Sequence, residues 1–312
     1  MDALTGDHWS EYWSQGQATS LPQDFAANYD GEVQAFWERH FALVPDGGSV
    51  LDICSGNGAV ALLAARHFEP TGREVTITAI DAAAMDPAAL ARRFPAEARY
   101  MEGIEFKPQM PVESLDFSDG SFDLVTSQYG FEYCDWAPAA GQVTRVLKSG
   151  GRFVMVCHHP GSEILSYMRT ERGEYAALEE LGFIRAARAW LNGDADVESL
   201  RSAWKGVHQA LGERLRERPS ALFASILGLL SNALRMPTPE IEARREALDH
   251  YLYQFESGRN RLEDMWRVNE ALAGDEQWTR CLTDAGLDFV ETGELRYRES
   301  HHAGVFHVFE KS

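Results

Sequence analysis

Apolar and polar residues follow one repeating pattern in the first half of the chain. Between residues 49 and 157, short apolar runs alternate with segments of helical spacing, a pattern that predicts βαβ units and a parallel sheet. The apolar runs predict five strands, at 49–54, 74–81, 104–106, 122–129 and 152–157. The intervening segments predict helices at 59–67, 86–93 and 137–151. We therefore expect parallel strands whose faces are covered by helices.

The pattern changes after the fifth predicted strand. Residues 162–276 show helical spacing with almost no strand signal, whereas a helix and two strands return within 277–312. The first 45 residues, rich in Trp and Tyr, predict one or two further helices. We predict a doubly wound, mostly parallel seven-stranded α/β sheet built from 46–161 and 277–312, with the helical segment 162–276 inserted after its fifth strand.

Composition and charge narrow the choice of partners. The 312 residues are 45% hydrophobic and 25% charged, which is typical of a globular protein large enough for one domain with an insertion. The formal net charge of −19 repels phosphate backbones and anionic membrane surfaces, so nucleic acid is disfavoured as a partner. The apolar run 221–236 is too short to span a bilayer and predicts a buried helix instead.

The cysteines and the N-terminus indicate a cytoplasmic protein. Four cysteines lie far apart in the sequence without a C-x-x-C pair, namely Cys54, Cys134, Cys157 and Cys281. This spacing predicts free thiols rather than a disulfide framework or a zinc site, and we expect no bound metal. The opening MDALTGDHWSEYW has neither the basic region nor the apolar region of a signal peptide.

A small-residue loop between the first strand and helix, within SVLDICSGNGAVALLAARHF (49–68), predicts a nucleotide site. Its glycines fit G-x-G-x-x-G/A, and the absence of a following lysine excludes a P-loop. A dinucleotide stays open, because Asp81 follows at about the distance expected for a ribose ligand. Asp52, just ahead of the loop, would repel a pyrophosphate and attract an ammonium or a sulfonium. The loop therefore favours a cationic nucleoside, of which S-adenosylmethionine is the common one.

Four ordered segments resemble the class I S-adenosylmethionine-dependent methyltransferases. They are VLDICSGNG (50–58), ITAID (77–81), LDFSDGSFDLV (115–125) and RVLKSGGRFVMV (145–156). With LTDAGLDFVETGEL (282–295), the resemblance extends over about 50–160 and 277–310. It implies a Rossmann-like fold, S-adenosylmethionine as the cofactor and S-adenosylhomocysteine as its product.

The resemblance also implies a set of cofactor contacts. Those along the methionyl part and the ribose are Asp52, Ser55, Gly56 and Gly58. Asp81 accepts both ribose hydroxyls, a role that suits a carboxylate at a strand end. Gln128 lies near the methionyl group and the transferred methyl, and Tyr29 belongs to a segment that folds over the cofactor in many relatives.

Two positions depart from the family pattern. Cys54 stands where the family usually has glycine, which implies a somewhat stiffer loop. The acid that often contacts the adenine amino group aligns with Pro111. The adenine contact is then either the backbone of Val112 or the carboxylate of Glu113.

The segment after the fourth strand, SQYGFEYCDW (127–136), bears on the methyl acceptor. It lacks the [DN]-P-P-[YF] pattern of amino-nitrogen methylation of adenine or glutamine, and no cysteine pair for pyrimidine chemistry is evident. Together with the negative charge, these features predict a small-molecule acceptor. The residues expected on the acceptor side are Tyr129, Glu132, Tyr133, His158 and His159.

Each of these acceptor-side residues has two interpretations. His158 and His159 are either candidates for a general base or loop residues held by hydrogen bonds. Glu132 is either a base, an ammonium-binding group or a structural carboxylate. His301 and His302, near the C-terminus, are predicted to lie on the solvated surface.

Three larger questions stay open at this stage. The insertion 162–276 is either a cap that encloses the acceptor or a surface for forming a homodimer. The aromatic residues of 1–45, including Tyr29 and Trp37, form either a lid over the cofactor or ordinary packing. The alternatives to a methyltransferase are a nicotinamide or flavin dinucleotide enzyme and a non-catalytic protein that binds S-adenosylmethionine.

Overall fold

The computed structural model describes residues 7–20, 25, 27–159, 163–274, 278–298 and 301–312. The chain divides into two compact units. The sheet unit comprises Met1–Glu163 and Asp264–Ser312, and the helical unit comprises Ile164–Glu263.

Seven strands form one sheet in the described part of the sheet unit. They are β1 (Ser49–Ile53), β2 (Thr76–Asp81), β3 (Ile104–Pro108), β4 (Phe122–Gln128), β5 (Leu147–Cys157), β6 (Leu287–Tyr297) and β7 (His301–Lys311). Their order across the sheet is β3-β2-β1-β4-β5-β7-β6. The first five strands are parallel, and β7 runs antiparallel to both β5 and β6. The predicted mostly parallel, seven-stranded α/β fold is confirmed.

Helices cover both faces of this sheet. The described helices of the sheet unit that precede β5 are α1 (Asp7–Ser14), α2 (Gly31–Phe41), α3 (Ala59–Phe68), α4 (Pro87–Arg93), α5 (Ala98–Met101) and α6 (Trp136–Val146). Along β1, Val50 packs into one core with α2 and α3, whereas Leu51 and Ile53 pack into a second core with α6. Strands buried on both faces must be apolar at successive positions, which explains the continuous apolar runs in the sequence.

The helical unit has its own apolar core. Among the described residues after β5, the helices are α7 (Glu163–Glu180), α8 (Phe183–Leu191), α9 (Val197–Glu217), α10 (Ala221–Arg235), α11 (Thr238–Glu242), α12 (Arg245–Gly274) and α13 (Arg280–Asp284). Of these, α13 and the end of α12 belong to the sheet unit. Phe183, Trp190 and Trp204 are among the buried aromatic residues of the helical core. Within the described ranges, no helix combines the length and the apolar character needed to cross a membrane. The role of the insertion as a cap or a dimer surface stays a prediction.

Two local predictions differ from the structure. Helix α6 ends at Val146 and β5 begins at Leu147, although the predicted helix extended to Gly151. The Ser-Gly-Gly segment lies inside β5, where the pairing with β4 shifts register, because glycines serve strand irregularities as well as helix ends. His302, predicted on the solvated surface, lies in β7 and is partly buried.

Candidate functional site

The glycine loop makes a sharp turn from β1 into α3. Cys54, Gly56 and Gly58 all have left-handed backbone conformations, with φ of 52°, 54° and 85°. At Gly58 a Cβ atom would lie 2.7 Å from the ring of Phe106, so only glycine fits without displacement. The backbone N–H of Gly58 donates to the carbonyl of Ser55 and closes the turn at 2.9 Å. The loop lies where the strand order reverses between β1 and β4, the position at which open α/β sheets bind ligands.

Asp52 is a buried carboxylate that joins three elements. One oxygen accepts a hydrogen bond from the Thr126 hydroxyl on β4 at 2.9 Å, and the other accepts from the Ala61 N–H on α3 at 3.1 Å. Burial raises the pKa of Asp52 to about 7, although both hydrogen bonds favour the charged form. Its carboxylate therefore serves the fold directly, and its contact with the cofactor stays a prediction.

Asp81 connects the glycine loop to the end of β2. Its two oxygens accept hydrogen bonds from the backbone N–H groups of Gly56 and Ala83, each at 2.8 Å. Burial raises the pKa of Asp81, while these two N–H groups oppose the shift. A carboxylate oxygen can accept more than one hydrogen bond, and each oxygen of Asp81 accepts one from the backbone. Asp81 can therefore also accept hydrogen bonds from the two hydroxyls of a ribose.

Helix α1 packs directly on this loop. The ring of Trp13 lies so close to Gly56 that a Cβ atom there would be 2.4 Å from it. The side-chain amide of Asn57 donates to the carbonyls of Trp13 and Gln17, each at 2.9 Å. The aromatic residues of 1–45 were predicted to form either a lid or ordinary packing, with Tyr29 favoured for the lid. Tyr29 is buried in the core that contains α2, and its contact with the cofactor stays a prediction. Helical spacing did not distinguish these aromatic residues.

Gln128, the last residue of β4, is held by α2. The indole N–H of Trp37 donates to the Gln128 side-chain oxygen at 2.5 Å, and both side chains are buried. An indole nitrogen is only a donor, so this contact fixes the oxygen of the amide toward Trp37 and turns its NH2 group away. That nitrogen is buried without a hydrogen-bond partner within the described residues. An unsatisfied buried donor is suited to an oxygen atom of a ligand.

Glu132 and His158 form a buried pair beyond the ends of β4 and β5. One oxygen of Glu132 accepts from the backbone N–H of His158 at 2.9 Å and lies 2.8 Å from its ring Nδ1. The Glu132 side chain is fully buried, and the side chain of His158 is 8% exposed. The carboxylate assigns the proton to Nδ1, so Nε2 is left as the basic nitrogen. This is the arrangement of a carboxylate-oriented general base.

Aromatic rings flank the His158 imidazole. The ring of Tyr129 lies 4.9 Å from it and the ring of Tyr133 lies 6.0 Å from it. The Tyr129 hydroxyl donates to the carbonyl of Ala303, and burial raises its pKa well above the ordinary value. Tyr129 therefore suits a wall of the site better than an acid or base. His159 stacks on His302 instead, with ring centroids 6.1 Å apart.

The two candidates for the adenine contact lie on one 3-10 turn, Val112–Ser114. Val112 is buried in the core between the sheet and α6. One carboxylate oxygen of Glu113 accepts from the backbone N–H of Asp135 at 2.8 Å. Both contacts stay predictions. Within the described part of the chain, no group of three or more His, Cys, Asp or Glu side chains is arranged to hold a metal ion.

The structure brings most of the predicted residues to one edge of the sheet. In the register of the strands, Asp52 pairs with Thr126, and Gln128 pairs with Val156, two residues before His158. The edge thus joins the glycine loop to the segment after β4 and the segment after β5. Sequence reasoning did not identify the packing of Trp13 on the glycine loop or the pairing of Trp37 with Gln128, because neither contact has a motif.

Comparison with known proteins identifies the family of this region. Residues 50–151 match the family described as a methyltransferase domain. The chain is 37% identical over 111 residues to the uncharacterized methyltransferase YcgJ of Bacillus subtilis, covering 35% of this chain and 40% of that protein. It is 36% identical over 112 residues to the ubiquinone/menaquinone biosynthesis C-methyltransferase UbiE of Geobacter sulfurreducens, covering 36% of this chain and 42% of the relative.

A third relative is named for O-methylation rather than C-methylation. The chain is 34% identical over 117 residues to the malonyl-[acyl-carrier protein] O-methyltransferase of Pectobacterium atrosepticum, covering 36% of this chain and 41% of the relative. The crystal structure of YcgJ aligns with a TM-score of 0.34 at 29% identity, over 45% of this chain and 56% of that one. The chain thus spans 40% to 42% of the length of these three curated relatives. Residues 50–151 are therefore similar to the methyltransferase domain that these relatives carry.

Proposed function

We propose that the protein transfers a methyl group from S-adenosylmethionine to a small-molecule acceptor, with His158 as the general base. The observation that carries this proposal is the buried hydrogen-bonded pair of Glu132 and His158 at the cofactor edge of the sheet. The glycine loop lies against the same segment, because a Cβ atom on Gly130 would be 2.3 Å from Cβ of Cys54. A base and a cofactor loop are therefore neighbours.

The residues present fit the cofactor. Asp81 offers acceptors for ribose hydroxyls, and Gln128 offers an unsatisfied N–H donor for a carboxylate oxygen. The left-handed turns at Gly56 and Gly58 hold the loop at the ends of the strands where open α/β sheets bind nucleotides. When bound, S-adenosylmethionine supplies an electrophilic methyl group on a sulfonium.

The chain's own residues would act on the acceptor. Nε2 of His158 takes a proton from the attacking atom, and the buried carboxylate of Glu132 stabilises the imidazolium that forms. Tyr129 and Tyr133 flank the imidazole and would orient a planar or apolar part of the acceptor. The attacking atom carries a proton to lose; oxygen, nitrogen, sulfur and an activated carbon all meet that condition, and the relatives' names include both C- and O-methylation.

Burial and charge support a small acceptor. Only 8% of the His158 side chain is exposed, so the base is accessible to a small molecule more readily than to a folded macromolecule. The net charge of −19 disfavours nucleic acid in addition.

One experiment tests both parts of the proposal. The protein is first titrated with S-adenosylhomocysteine and with NAD by calorimetry, and binding of the first alone is expected. It is then incubated with methyl-labelled S-adenosylmethionine and either the dialysable or the retained fraction of a cell extract. Label should enter the dialysable fraction, and His158→Gln should abolish this transfer. Label found only in retained macromolecules would overturn the small-molecule acceptor, and binding of NAD alone would overturn the cofactor.

A further inference from the structure

Two cysteines far apart in the sequence meet at the edge of the sheet. Cys54 lies in the glycine loop, and Cys134 follows the 3-10 turn that contains Glu132. They are 80 residues apart in the chain, yet their sulfur atoms are 3.6 Å apart. Both are free thiols in this structure. Neither has a role in the proposed methyl transfer.

The backbone holds the two thiols together. Gly130 lacks the Cβ atom that would otherwise lie 2.3 Å from Cβ of Cys54, so the two segments approach closely. Cys54 adopts a left-handed φ of 52°, a conformation that usually requires glycine. The N–H of Cys134 donates to the carbonyl of Phe131 at 3.1 Å and fixes the other segment. The proximity of the sulfurs is therefore built into the loop geometry.

We propose that Cys54 and Cys134 are a site of reversible oxidative modification, at which a disulfide joins the glycine loop to the turn that carries Glu132. A disulfide requires a sulfur–sulfur distance of about 2.05 Å, so the two sulfurs approach by about 1.5 Å from their present separation. The oxidant is a peroxide.

The chemistry balances with hydrogen peroxide. The two thiols share a hydrogen bond in which either sulfur can be the donor. This contact raises the pKa of Cys54 and opposes the rise in the pKa of Cys134, while burial raises the pKa of both thiols. The Cys134 thiolate attacks one peroxide oxygen, the O–O bond breaks, and the leaving hydroxide takes up a proton to become water. The sulfur of Cys54 then attacks the sulfenic acid, and a second water leaves with the Cys54 proton. Two thiols are oxidised to one disulfide, and one peroxide is reduced to two waters.

The modification is expected to affect cofactor binding, a consequence that rests on the proposed function. Closing the disulfide moves the loop of Gly56 and Gly58 relative to the segment of Glu132. We expect the affinity for S-adenosylhomocysteine to fall about fivefold or more on oxidation and to return on reduction with dithiothreitol.

The test uses the full-length protein. The reduced protein is treated with hydrogen peroxide, and its intact mass should fall by the mass of two hydrogen atoms. Peptide mapping should find Cys54 joined to Cys134. The cross-link should be absent from Cys54→Ser and Cys134→Ser, and it should persist in the matched control Cys281→Ser. Formation should accelerate as the pH rises, because both thiols have raised pKa values.

The outcomes separate this inference from the proposed function. A cross-link to another cysteine, or oxygen addition to one thiol without a cross-link, would overturn the modification site. A Cys54–Cys134 disulfide that leaves the affinity for S-adenosylhomocysteine unchanged would overturn its effect on the cofactor. If the reduced protein does not bind S-adenosylhomocysteine at all, the proposed function fails, whereas the mass and mapping results still decide the disulfide.

Discussion

Replacing Glu132 with glutamine tests the proposed base most directly. Glutamine has the same shape, but it removes the charge that holds the Nδ1 proton of His158 at 2.8 Å and stabilises the imidazolium. In addition, one Glu132 oxygen accepts from both the backbone N–H and the ring Nδ1–H of His158. An NH2 group placed at that position by glutamine could not accept either hydrogen bond. General-base catalysis contributes about 10²–10⁴-fold to a rate. Because Glu132 acts through His158, we expect kcat to fall by about 10²-fold, or about 2.7 kcal/mol.

The assay separates catalysis from binding and folding. Turnover is followed by S-adenosylhomocysteine release with the acceptor found in the extract screen, and kcat is measured across pH. The cofactor affinity of Glu132→Gln, measured by calorimetry, should change by no more than about twofold. The matched control is Glu291→Gln, whose carboxylate pairs with Arg39 at a partly exposed site, and its activity should also change by no more than about twofold. The pH dependence of kcat should differ from that of the unmodified protein. If Glu132→Gln kept wild-type kcat and pH profile while folded, the general-base assignment would be refuted.

Four further predictions address the cofactor site and the insertion. Asp81→Ala should weaken S-adenosylhomocysteine binding by about 1.5–3 kcal/mol, and unchanged affinity in calorimetry would show that Asp81 does not bind the ribose. Burial raises the pKa of Asp52 from 3.8 to about 7, so the folded protein holds the Asp52 proton more tightly than the unfolded chain does. The free energy of unfolding should therefore decline as the pH rises from about 4 to about 7. Urea denaturation at several pH values should show that this decline is missing from Asp52→Asn, and an equal slope in both proteins would contradict the assigned pKa. Trp37→Phe removes the donor that orients the amide of Gln128 and should cost about 0.5–1.5 kcal/mol of cofactor affinity. In a protein that already carries Gln128→Ala, Trp37→Phe should cause no further loss. Replacing 165–263 of the helical unit with a short linker should abolish acceptor turnover but preserve S-adenosylhomocysteine binding, and full activity would indicate a role in assembly instead.

The sequence by itself determined the architecture of the sheet unit. Strands such as β1 and β4 are covered by helices on both faces, so their residues must be apolar in unbroken runs, and those runs are visible in the sequence. The turn from β1 into α3 was equally visible, because a left-handed position such as Gly58 requires glycine. The start of β5 was not visible in the sequence, because Ser149-Gly150-Gly151 is compatible with both a helix end and an irregular strand.

Only the tertiary structure decided which side chains meet at the edge of the sheet. Glu132 and His158 follow different strands, and their hydrogen bond depends on the parallel register of β4 and β5. The contacts of Cys54 with Cys134 and of Trp37 with Gln128 likewise join segments 80 and 91 residues apart. Hydrophobic periodicity reports which face of an element is buried, whereas contacts at this distance depend on strand order and register. The residue types of the site were therefore visible in the sequence, and their pairing was decided by the fold.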